Sequence, residues 1–87
     1  MKQIFNFGDG EVGVGSGKTD DGRSVVVLKY LEPGKYNTGD PVNENFEDNY
    51  DVIMYFSNMK SIDVLIEQCE EAKEILKREM LNELALH

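Results

Sequence analysis

Apolar and polar positions follow two different periods along this chain. Up to about residue 57, short β-rich runs are separated by glycine, aspartate and proline; after it, apolar residues recur every three to four positions. Lys2 to Phe7 (KQIFNF) reads as a first strand, closed by the turn signal Gly8-Asp9-Gly10. Glu11 to Thr19 and Arg23 to Leu31 flank Asp20-Asp21-Gly22, and Asp-Gly between β-rich runs predicts a hairpin because it tolerates the positive φ of tight turns. The continuous run Val25-Val26-Val27-Leu28 predicts an arm buried on both faces.

A two-residue turn at Asp21-Gly22 sets Gly17 opposite Val26, Gly15 opposite Leu28 and Gly13 opposite Tyr30. The three glycines then share one bare face beneath large apolar neighbours, a packing device or, alternatively, a groove for a ligand. A turn one residue longer would shift every one of these pairs.

Glu32 to Asn49 reads as a long loop, through Pro33-Gly34, Gly39 and Asp40-Pro41, and Asp51 to Ser57 as a further strand. From Ser61 to Leu84 the spacing of Ile62, Leu65, Ile66, Cys69, Ala72, Leu76 and Met80 predicts one amphipathic helix. Ser61 is its expected N-cap, with Asp63 complementing the positive helix end. Glu67, Glu70, Glu71, Glu74, Lys77 and Arg78 form its solvated side, and Cys69, on the apolar stripe, is expected to be a buried, inert thiol. The elements amount to a single α+β domain over residues 1–87: a small antiparallel sheet of three or four strands, then one long C-terminal helix.

Composition narrows the function classes. A chain of 87 residues supports one small core, and its single cysteine leaves no disulfide to reinforce it. The lone thiol fits a reducing, cytoplasmic setting, and no apolar run is long enough to cross a membrane. Seventeen acids against nine Lys and Arg, a net charge of -8, argue against direct binding to a nucleic-acid backbone and fit a soluble protein or one with a basic partner.

Motifs that suggest chemistry dissolve on inspection. Gly8-x-Gly10-x-x-Gly13 imitates a dinucleotide fingerprint, and Gly13 to Thr19 (GVGSGKT) imitates a phosphate-binding loop. Both require a following helix whose amides meet the phosphate; here a strand follows, and the second motif is one residue too short. The only histidine, His87, is the last residue. No nucleophile–base pair, metal-ligand spacing or calcium loop emerges, so no enzyme, cofactor or metal is expected.

Charge distribution supplies the sharper expectation. Residues 1–35 hold five acids and five bases, whereas residues 40–51 hold five acids and no base. The leading expectation is a non-enzymatic binding or inhibitor protein whose Glu44, Glu47, Asp48 and Asp51 dock on a basic protein surface. A second is an oligomeric module holding a small anion, such as a nucleotide, through Lys18 and Arg23; a third is a structural oligomer without ligand. Apolar side chains on both sheet faces and a helix longer than its sheet predict a homo-oligomer, most simply a dimer, meeting through Val26, Leu28, Tyr30, Leu81, Leu84 and Leu86. In form alone, the profile resembles small phage or mobile-element proteins that act by binding.

Overall fold

The computed structural model describes residues 2–85. The order of elements is β1 (Val12–Lys18), β2 (Ser24–Tyr30), β3 (Val52–Phe56) and α1 (Met59–Ala85). The three strands form one antiparallel sheet in the order β1-β2-β3, and the long helix follows it. The chain divides into two units, Met1–Tyr55 and Phe56–His87. Among the described residues no helix is long and apolar enough to cross a membrane.

The hairpin forms where the Asp-Gly signal predicts it, but with a three-residue turn. Thr19 N–H donates to the Arg23 carbonyl at 2.9 Å, so Asp20, Asp21 and Gly22 make the loop. Gly22 sits at φ +86°, the left-handed residue that ends this kind of turn. The Thr19 hydroxyl accepts from Arg23 N–H at 2.9 Å and donates to the Asp21 carboxylate. That carboxylate in turn receives Arg23 Nε at 3.0 Å.

The longer turn moves the register by one residue and corrects the sequence expectation. Gly13, Gly15 and Gly17 stand opposite Lys29, Val27 and Val25, while Val12, Val14 and Ser16 stand opposite Tyr30, Leu28 and Val26. Side chains alternate faces along a strand, so the glycines share the face of Val25 and Val27, not that of Val26, Leu28 and Tyr30. The core lies on the glycine face: Val27 and Leu31 are each only 6 % exposed. Val25, Val26 and Leu28 are half-buried, short of the fully buried arm that the apolar run predicts.

Phe46, from the long loop, fills the space the glycines leave. A Cβ on Gly15 would stand 3.0 Å from the Phe46 ring, and one on Gly13 would stand 3.1 Å from the same ring and 3.2 Å from Leu31. The large side chain leaning over these glycines therefore comes from the loop, not from the facing strand. The loop is organised by its own contacts. Lys35 Nζ and Tyr36 Oη each donate to Glu44 Oε2 at 3.0 Å, and Asn37 N–H donates to Asp40 Oδ2 at 2.9 Å.

Residues 2–7 are not a strand. An extended segment becomes a strand only where a ladder partner accepts it, and this one is held by side-chain contacts instead. Phe5 stacks on Tyr30 at 4.7 Å between centroids, and Tyr30 Oη donates to the Ile4 carbonyl at 3.1 Å. Gly10 permits the next turn, because a Cβ there would collide with the Tyr36 carbonyl.

In the second unit the helix begins two residues before the expected start. Asn58, not Ser61, is its N-cap: Asn58 Oδ1 accepts from Ser61 N–H at 2.9 Å, and Ser61 Oγ donates back to the Asn58 carbonyl at 2.7 Å. Asp63 accordingly falls beyond the first turn, which contains no acid. No helix residue is buried, so the Cys69 thiol is exposed instead of enclosed.

Candidate functional site

The glycine face of the first unit carries an open groove of about 390 Å³ between the Phe46 segment and β3. Its floor is Val25, Val27 and Ile53; Phe46, Tyr50 and Tyr55 form aromatic walls, and Lys18, Glu47 and Asp48 lie at its edge. The local chain path explains this arrangement. Phe46 is anchored against Gly13 and Gly15, and Asp48 adopts φ +56°, a left-handed conformation that aspartate tolerates better than most residues. The reversal brings the chain to Asp51, whose N–H donates to the Leu28 carbonyl at 2.8 Å and leads into β3.

The four acids expected to form one contact patch separate into two roles. Glu44 is engaged inside its loop by Lys35 and Tyr36, and its side chain is only 19 % exposed. Those two hydrogen bonds, Lys35 first, hold its carboxyl below the usual value, while the bond to Glu44 raises Lys35. Asp51 Oδ2 accepts from Tyr30 N–H at 2.7 Å, extending the sheet's hydrogen bonding by a side chain. Glu47 and Asp48 are exposed, and their carboxylates make no hydrogen bond or ion pair among the described residues. Sequence counting found the acidic segment; only the local partners distinguish the engaged acids from the open ones.

The expected anion ligands are placed differently. Arg23 is bound by Asp21, and its guanidinium lies over the Tyr55 ring at 4.5 Å from the centroid. Bonds from Thr19 and then Arg23 lower the Asp21 pKa to about 2. Lys18 shares the groove edge with Glu47 and Asp48, so no undivided positive site forms there. Tyr50 and Tyr55, 40 % and 50 % exposed, are the groove residues that sequence reasoning missed. Tyr50 immediately before a β-rich run, and Tyr55 inside one, were the available signal.

The expected oligomer contacts fall in separate places. Val26 and Leu28 are half-buried in β2, and Tyr30, 52 % exposed, is partly covered by Phe5. Leu81 and Leu84 are 57 % and 72 % exposed on the helix; Leu86, like His87, lies outside the described residues. Among the described residues no group of three or more His, Cys, Asp or Glu is placed to hold a metal ion. The GVGSGKT segment is β1 and its turn into β2, not a phosphate loop opening a helix. No family model matches the chain, and neither a curated protein nor a solved structure matches it.

Proposed function

We propose that this chain is a non-enzymatic binding or inhibitory protein that receives a lysine or arginine side chain of a basic protein partner in the Phe46–Tyr55 groove. One observation carries the reading: the two open carboxylates, Glu47 and Asp48, stand beside the exposed aromatic rings Tyr50 and Tyr55. Carboxylates and aromatic faces both attract cations, the second through the ring quadrupole. Arg23 over Tyr55 supplies an example of that contact within the chain. Glu44 and Asp51 support the groove rather than touch the partner: neither lines it, and one carboxylate oxygen of each is already engaged within the chain.

The anionic-ligand alternative has less support, since Arg23 is paired and acids border Lys18. Titration of the whole chain with short arginine-rich and lysine-rich peptides, followed by amide chemical shifts, tests the preferred reading. Shifts are expected at Glu47 to Tyr50 and at Tyr55, with loss of binding in Glu47→Gln/Asp48→Asn. Shifts spread evenly over Glu67 to Glu74 of the helix, or binding unaffected by the double change, would overturn it.

A further inference from the structure

The helix of the second unit carries an apolar stripe that nothing in its own unit covers. Leu65, Cys69, Leu76, Met80 and Leu84 fall within one arc of the 3.6-residue turn, and Leu76, Met80 and Leu84 are 65 %, 64 % and 72 % exposed. A hollow against the helix is lined by Leu76, Met80, Leu81 and Leu84, with Lys73, Glu74 and Lys77 along its border. An exposed apolar strip of this length marks an interaction surface.

The charges beside the stripe identify its occupant. Next to the stripe, one flank carries Glu70 in the first half of the helix and Lys73 and Lys77 in the second; Asp63 and Glu74 stand further out on the same side. The helix's own ion pair, Arg78 to Glu71 at 3.6 Å, lies on the far side. Among the described residues Glu70, Lys73 and Lys77 make no ion pair, and the two lysines, one turn apart, repel each other. The inner charges of this flank, Glu70 ahead of Lys73 and Lys77, are complementary to themselves when the helix is reversed.

We propose that a second copy of this chain covers the stripe with its own α1, running antiparallel. Leu65 then faces the partner's Met80, Cys69 faces the partner's Leu76, and Glu70 lies between the partner's Lys73 and the partner's Lys77. Reversal also opposes the two helix dipoles. A parallel pair would offer the lysines to Glu79 and Glu83, but it would leave Glu70 beside the uncharged Ile75 of the other helix and align the dipoles. The antiparallel pair keeps the two copies of Cys69 seven residues apart along the axis, about 10 Å at 1.5 Å per residue, too far for a disulfide.

Oxidation of the full-length chain tests this directly, with sedimentation equilibrium at micromolar concentration giving the mass. The wild type is expected to sediment as two chains without becoming covalently linked. Leu76→Cys is expected to give a covalent dimer through Cys69 and the partner's new thiol, since the two sites in one helix are two turns apart. Should that variant fail to fold, Leu65→Cys/Met80→Cys in a Cys69→Ser background tests the same alignment. Glu70→Lys is expected to weaken dimerisation about tenfold, and adding Lys73→Glu and Lys77→Glu to restore it. A single-chain mass would overturn the proposal. So would a wild-type dimer linked through Cys69, or a charge swap that fails to restore pairing.

Discussion

At the hairpin tip, Thr19 and Arg23 hold the Asp21 carboxylate to a pKa of about 2, against an ordinary 3.8. A carboxyl lowered on folding stabilises the fold fully above its unfolded value, and the contribution disappears as pH falls through the folded one. Asp21→Asn should therefore lower the midpoint of urea unfolding by a constant amount from pH 5 to 8. The gap between variant and wild type should close between about pH 4 and pH 2. A gap independent of pH would mean the side chain acts by turn geometry alone. The glycines of β1 make a second contrast between single residues. Gly15→Ala pushes a Cβ into the Phe46 ring at 3.0 Å and should cost about 1–2 kcal/mol by overpacking. Gly17→Ala meets only Val25 Cγ2, at 3.6 Å, and should be neutral or stabilise by about 0.5 kcal/mol, because alanine has less backbone entropy to lose. Denaturant midpoints of the two variants check the pair, and equal losses would mean that Phe46 does not rest on Gly15.

For the strands and the helix, periodicity located the elements and local chemistry set their ends. The hairpin was readable because Asp-Gly interrupts two β-rich runs. Its register was not, since the same letters fit a two- or a three-residue loop. The three-residue form places the Thr19 hydroxyl against Arg23 N–H and Asp21 and brings the glycines under Phe46. Residues 2–7 have strand composition, yet the segment is held by the Phe5 ring on Tyr30 rather than by a ladder. At the helix start, Ser61 resembles a cap by residue type, but the helix has already begun at Met59, and the Ser61 amide is itself one of the free N–H groups of the first turn, met by Asn58 Oδ1. Asn58→Ala should cost about 1 kcal/mol and speed hydrogen exchange at the Ser61 amide. Ser61→Ala should leave that exchange nearly unchanged, and the reverse order would return the cap to Ser61.

Across the whole chain, the net charge of -8 attracts any basic partner from a distance, whatever the docking site. Local recognition separates from this general field by comparing two neutralisations of equal size. Glu47→Gln/Asp48→Asn and Glu67→Gln/Glu74→Gln each change the charge from -8 to -6. The groove pair should slow association with an arginine-rich peptide on the order of tenfold, and the helix pair by about twofold. Both effects should shrink as added salt shortens the screening length. Equal slowing, measured by stopped flow at low ionic strength, would assign the attraction to net charge and not to the groove.

The α+β class, the hairpin and the long helix follow from the order of the residues, because turn chemistry and apolar period act over a few neighbouring positions. The acidic character of residues 40–51 is equally a property of the letters. Which acids remain wholly open is not: one carboxylate oxygen of Glu44 is taken up by Lys35 and Tyr36, and one of Asp51 by the Tyr30 amide, 21 positions away. The seating of Phe46 on Gly13 and Gly15 likewise joins segments some 30 residues apart. Such pairings depend on strand register, and a change of one residue turns every side chain of a strand to the opposite face.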